Sequence, residues 1–187
     1  MKKLTLGKYY QDSFEYKSDL NWFQIDKRSG TVLLLAEFVL VFKQYDDNFK
    51  NKWEDTTLFK WLNNEFLKDA FDTDIVNNKL LDINFSSQTT TDNKREPYKV
   101  SLLSTNELKN LQLPKSVLST RATAFAFEQI KDTTFDKCNA CWWLRSDFIN
   151  DGNTMHVIDN GNLHLVNVDY KLCGVRPIIC LDIKVNS

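Results

Sequence analysis

Glycine is scarce in this chain, and its scarcity excludes more chemistry than any motif supplies. The 187 residues contain five glycines: Gly7, Gly30, Gly152, Gly161 and Gly174. None lies within five residues of another, so neither G-x-G-x-x-G nor a P-loop can be written. Those cradles need glycine where backbone N–H groups crowd a phosphate, and the glycine-rich nucleotide sites are therefore excluded. Histidine is rarer still, with only His156 and His164, and both H-E-x-x-H and G-x-S-x-G are missing. A long hydrophobic run is lacking too. The longest apolar stretch, TVLLLAEFVLVF, is too short to span a bilayer and is interrupted by Glu37. The start, MKKLTLGKYYQDSF, has two lysines with no apolar run behind them, so no signal peptide is expected. Nor is there an excess of charge: the net value is −1, which leaves no global basic footprint for nucleic acid or an anionic membrane.

What is present is ordinary globular composition, 42% hydrophobic and 26% charged, with aromatics high at 13%. One domain spanning 1–187 and large enough for a real core is the expectation. The expected location is the cytoplasm, where four cysteines are thiols rather than two disulfides.

The segment NWFQIDKRSGTVLLLAEFVLVF reads as a hairpin, with strand 21–26, a turn at Arg28-Ser29-Gly30 and a longer buried strand from Thr31. In WEDTTLFKWLNNEFLKDAF, Leu58, Trp61, Leu62, Phe66 and Ala70 share one helical face, and Asp55 is a plausible N-cap. A helix over about 56–70 follows. The polar stretch 86–97 is a loop. Ser104-Thr105-Asn106-Glu107 fits a capping box, which fixes the start of a second helix. RATAFAFEQI suggests a short third one. The chain then turns to β at 141–146, 154–159, 163–168 and 175–183, with Asn160-Gly161 as a two-residue type I′ hairpin turn. Strands first, two to three helices in the middle and a β-rich end make α+β with a mixed or antiparallel sheet.

Cys138-x-x-Cys141 invites a zinc reading, with His156, His164, Cys173 and Cys180 as further ligands. A two-residue turn sets Val157 opposite His164 and His156 opposite Leu165. The two histidines then face opposite sides of the ribbon and cannot share a site. No metal and no cofactor are expected, and Cys180, inside IICLDI, acts as a small buried hydrophobe. Nucleophilic catalysis would need a histidine beside Ser146 or Cys141, which sequence cannot place.

Eight ordered segments carry a resemblance: GKYYQ; LLLAEFVL followed by Tyr45; WEDTTLFKWLNNEFLKDAF; KVSLLSTNE; RATAFAF; CWWLRSDF; the DNGNL hairpin; and GVRPIICLDI. Together they resemble an uncharacterised bacterial family, a domain of unknown function common in Firmicutes and their mobile elements. The Trp-Trp-Leu-Arg-Ser and Gly-Val-Arg-Pro pieces also look like the ends of C-type-lectin-like domains, a group that includes formylglycine-generating enzymes. This resemblance implies a single C-type-lectin-like domain rather than an activity. The sugar-binding Glu-Pro-Asn and Gln-Pro-Asp signatures are absent, and the cysteine spacing does not reproduce the formylglycine-generating pair.

The expected function is a non-enzymatic intracellular binding module for a protein partner or small-molecule ligand. One version is a phage or mobile-element inhibitor of a host defence factor. The rival is an enzyme using Cys141 or a histidine. A weaker alternative is nucleic-acid binding through KREPYK. Candidate binding residues lie on polar, loop-rich surface: Asp147, Asn150, Asp151, Asn167, Asp169 and Tyr170. Arg145 and Arg176 have two readings, an internal polar network or a ligand contact.

Overall fold

The structure, a computed structural model, describes residues 1–28, 30–50, 52–83, 98–130, 139–145 and 152–183. Its first sheet begins as an antiparallel meander of β1 (Lys3–Tyr10), β2 (Lys17–Arg28) and β3 (Thr31–Ala36). The partner of β3 is not the next strand in sequence but the last, β11 (Ile178–Asp182), which runs antiparallel to it from Ile178↔Leu35 to Asp182↔Thr31. The short strands β5 (Leu80–Leu81) and β6 (Val100–Ser101) both pair with the far side of β11. β11 is thus central, as its Ile-Ile start requires: Ile178 and Ile179 point to opposite faces and both are fully buried.

The second sheet has the order β4-β10-β7-β8-β9. Its members are β4 (Val41–Phe42), β7 (Trp142–Trp143), β8 (Asn153–Val157), β9 (Leu163–Asn167) and β10 (Gly174–Val175). The β10–β7 pair is parallel and the other pairs are antiparallel, so the architecture is α+β with mixed pairing. Gly174 is forced by close approach, since a Cβ there would sit 2.8 Å from the Cys141 carbonyl oxygen and collide with Val39.

Five helices accompany the sheets among the described residues, more than the two to three expected. α1 (Thr57–Trp61), a π-helical stretch Leu62–Phe66 and α2 (Leu67–Ala70) run on as one helix. Thr56, not Asp55, caps it by accepting from the Phe59 N–H. Leu58, Leu62, Phe66 and Ala70 are buried along its face, as the spacing requires. α3 (Thr73–Asn78), α4 (Thr105–Leu111), α5 (Lys115–Leu118) and α6 (Ala124–Ile130) are short. The capping box at Ser104 and Glu107 forms in both directions. None of these helices is long and apolar enough to cross a membrane.

The apolar interior is divided into two clusters. Trp143 belongs to one, with Trp22, Tyr45, Trp53 and Phe66; Trp142 belongs to the other, with Leu103, Val117, Leu144 and Val157. Consecutive strand residues face opposite ways, so this dipeptide serves both clusters. Each indole satisfies its N–H on a carbonyl: Trp142 on Leu118 at 3.0 Å and Trp143 on Lys43 at 2.7 Å.

The expected strand 175–183 is broken. Arg176 and Pro177 separate β10 in the second sheet from β11 in the first. Proline has no N–H to give a ladder, and Arg176 uses the corner to reach inward. Its side chain is 0% exposed. Nε donates to the Ala36 carbonyl at 2.8 Å, Nη1 to Val117 at 2.6 Å and Nη2 to Glu37 at 3.1 Å. The guanidinium also lies over the Trp142 ring, 5.0 Å from its centroid. Burial lowers its pKa to about 9, opposed by the nearby Glu37 charge, and it stays protonated at neutral pH. Arg176→Ala leaves the buried Ala36 and Val117 carbonyls without this donor and the Glu37 carbonyl with the Thr120 hydroxyl alone. A loss of roughly 3–5 kcal/mol is expected, read as a lower urea midpoint. Arg176→Lys recovers only part of it, because an ammonium cannot match the planar fork.

Candidate functional site

The polar turn after β9 is fixed from both sides. Asn167 Oδ1 accepts from the Asp169 N–H at 3.2 Å, and the Asn167 carbonyl accepts from the Tyr170 N–H at 3.1 Å. The chain following β4 holds this turn: Gln44 donates to the Asp169 carbonyl at 2.8 Å, and the Tyr45 and Asp46 N–H groups converge on the Val168 carbonyl at 2.8 and 3.1 Å. Asp46 is fully buried. Its carboxylate accepts from Lys50 N–H at 2.6 Å and from Thr57 N–H at 2.9 Å, which ties the 46–57 connection to the start of α1.

Between these pieces lies an open cleft of about 490 Å³. Its apolar floor is Phe42, Leu58 and Trp61. Its polar rim is Lys43, Gln44, Gln129 and Lys171, with Asp47 and Thr57 to one side. The Lys43 ammonium sits 4.9 Å from the centre of the Trp61 ring. The cleft therefore offers a flat aromatic surface, two cations and two amides to one occupant.

Of the residues singled out from sequence, Asn167, Asp169 and Tyr170 form the turn beside this cleft, and Tyr170 is 38% exposed. Asp147, Asn150 and Asp151 lie outside the described residues, as do Ser146, Cys138 and the 86–97 loop. Arg145 is buried, and its Nη2 donates to Glu107 Oε1 at 3.0 Å, so it braces the capping box of α4. Arg176 is the buried clamp described above. The cleft residues Lys43, Gln44, Trp61, Gln129 and Lys171 were not singled out from sequence. Trp61 reads as one more apolar position on its helix, and only its half-burial beside a lysine distinguishes it.

The histidine expectation is overturned. Ile158 donates to the Asn162 carbonyl at 2.8 Å, so the hairpin closes with a three-residue loop, 159–161, not a two-residue turn. Gly161 takes φ +86° there, the left-handed position that such loops reserve for glycine. The extra residue shifts the register by one and flips the pairing: His156 now stands opposite His164, with ring centroids 5.9 Å apart. His164 is exposed and His156 is 5% exposed. The His156 ring faces Trp143, and its Nδ1 has no hydrogen-bond partner among the described residues. Among those residues no group of three His, Cys, Asp or Glu side chains gathers as a metal site.

Cys141, Cys173 and Cys180 are free thiols. Cys141 is half-buried, and a hydrogen bond from Cys173 lowers its pKa against the opposing effect of burial. Cys173 is fully buried, and desolvation raises its pKa well above the ordinary value. Cys180 is only half-buried rather than sealed in its strand.

Residues 29–183 match the family described as Domain of unknown function (DUF6273). The chain belongs to that family. No curated protein and no solved structure matches it. The family covers the clamp, the cleft and the hairpin together and leaves out most of the β1–β2 ribbon.

Two measurements follow from the ionisations. Burial depresses the His156 pKa, against the smaller opposing effect of a hydrogen bond to the His164 backbone. The folded chain then binds fewer protons than the unfolded chain, whose imidazole titrates near about 6.5. Stability is full above that value and is lost as pH falls through it towards the folded pKa. Urea midpoints between pH 8 and 5 should decline, and His156→Phe should flatten the part due to this residue. Separately, iodoacetamide under native conditions should label Cys141 well before Cys173, as peptide mass spectrometry reads.

Proposed function

We propose that this protein is a non-enzymatic binding module of C-type-lectin-like type, working inside the cell. Its partner is another protein or a small ligand that seats in the cleft bounded by β4, α1, α6 and the 167–172 turn. The observation that carries the reading is the composition of that cleft: an aromatic floor under a rim of two lysines and two glutamines, on walls held by Asp46 and Gln44. Such a surface suits an occupant that lays an apolar or planar group on Trp61 and presents carboxylate or carbonyl oxygens to Lys43 and Lys171. Tyr170 and Asp169 extend the same surface beyond the rim. One specific version is a mobile-element product that neutralises a host factor. Its support is the resemblance to a family common on mobile elements.

The second reading is an enzyme that uses Cys141. It is favoured by one observation: the thiol with the lowered pKa donates to the carbonyl of Leu172, a cleft-lining residue, at 3.3 Å.

The test is affinity capture from the native host with the wild type, with Lys43→Glu plus Lys171→Glu, and with Cys141→Ser. Both lysines are at least partly exposed, so the charge reversals leave the fold intact to within about 1 kcal/mol. The binding reading expects capture to be lost with the lysine variant and kept with Cys141→Ser. Capture unchanged by the charge reversals moves the binding surface elsewhere. Turnover of a captured small molecule that disappears with Cys141→Ser establishes the enzyme instead.

A further inference from the structure

β9 is the outermost strand of the second sheet, and two backbone hydrogen bonds show which of its peptide groups are in use. Ile158 donates to Asn162 and Val168 donates to Gly152, both at 2.8 Å. These pairs share the register of His156↔His164 and Thr154↔Val166. Hydrogen-bonded and non-bonded pairs alternate along an antiparallel ladder, so the even-numbered residues of β9 bond to β8. Leu163, Leu165 and Asn167 therefore turn their N–H and C=O groups outward. The Asn167 carbonyl accepts from Tyr170; the other outward groups have no backbone partner among the described residues.

An open row of this kind is ordinarily guarded. The other described edges are. β1 carries Lys3 and Lys8 and a bulge between Thr5 and Lys8, while β4, β5 and β6 are two residues long. β9 reads Leu-His-Leu-Val-Asn over five residues, with no Lys, Arg, Asp, Glu or Pro and an unbroken register. Leu165 in its centre is 59% exposed.

We infer that β9 pairs antiparallel with β9 of a second copy of this chain, about a two-fold axis at Leu165. In that register Leu165 stands opposite Leu165 of the second copy, and Leu163 stands opposite Asn167. Each outward N–H then finds a carbonyl, that of Asn167 accepting from Leu163 of the second copy as well as from Tyr170. The strand is its own complement. It carries no charged side chain that would select a foreign strand, and at a net charge of −1 two copies repel weakly. Leu165 lies on the same face as Leu163, which packs partly against the second core cluster, so pairing covers Leu165 with its symmetry mate and sets Asn167 of the second copy beside Leu163. The two second sheets become one continuous sheet of ten strands.

The inference does not depend on the cleft, and the Lys43→Glu plus Lys171→Glu variant remains dimeric. Sedimentation equilibrium over a range of micromolar concentrations should show a dimer for the wild type and a monomer for Leu165→Lys. That variant puts two ammonium groups directly opposite each other while leaving an exposed position to solvent in the monomer. Leu165→Cys in oxidised glutathione should give a disulfide-linked dimer on non-reducing electrophoresis that the wild type does not give. Opposed residues of a hydrogen-bonded pair have Cα atoms about 5.5 Å apart, inside the disulfide range. If circular dichroism shows Leu165→Lys to be unfolded, the cysteine variant decides. A monomeric wild type overturns the inference. So does a dimer that survives Leu165→Lys with its fold intact, or a dimeric Leu165→Cys protein that does not cross-link.

Discussion

The structure turns on one buried guanidinium. Arg176 occupies the corner where the chain leaves the second sheet and enters the first, and it is the only residue between β10 and Pro177. Its three hydrogen bonds end on the exit of β3 and on α5, and its π contact ends on β7. Two sheets, a helix and the boundary between two apolar clusters are thus fastened at one point. Taking an arginine out of water is unfavourable unless every donor finds an acceptor. Here the acceptors are backbone carbonyls at the end of β3 and in α5, which need donors of their own. Each side of the arrangement removes the other's desolvation penalty.

The second consequence of this corner is the position of the cleft. Leu40 donates to Val175 at 3.0 Å and Lys43 to Cys173 at 3.2 Å, so the segment around β4 is laced to the approach to Arg176. The floor residue Phe42 and the rim residue Lys43 are held there. Trp143 adds to this by bonding the Lys43 carbonyl. The rigid part of the cleft is therefore built from the same backbone that the clamp positions, whereas Lys171 and Gln129 stand on surface turns and helix ends.

How far the sequence could be read depended on whether a feature is local. The capping box at Ser104 and Glu107 and the apolar face of the 57–70 helix each need only a few neighbours, and both formed. The Trp-Trp dipeptide was also legible, since alternation alone sends one ring to each side. The hairpin failed by a single residue: Asn-Gly suits a two-residue turn, but Asp159 joins the loop, and one residue is enough to bring two histidines face to face. Strand 175–183 failed because nothing in Gly-Val-Arg-Pro-Ile-Ile says that its halves belong to different sheets. The candidate site divides in the same way. The 167–170 turn stands out by composition, since Asn and Asp bond their own backbone. The cleft does not, because its walls come from residues 42–61, 129–130 and 171–172, which only the tertiary fold brings together.

The central place of β11 has a consequence for how the chain is made. A strand translated after the other described elements fills the gap between β3 and β5, and the parallel β10–β7 pair beside it follows most of them too. While the ribosome still holds those residues, β1 to β3 form a ribbon whose β3 edge has no strand to pair with, with Leu34 and Leu35 on its two faces. Helices with local contacts can form during synthesis, but neither sheet can close. Nascent chains thus pass through a stage with an unpaired apolar edge, when chaperones have the most surface to grip. Emergence of β10 and β11, rather than of any earlier segment, sets the moment at which this domain becomes a single cooperative unit.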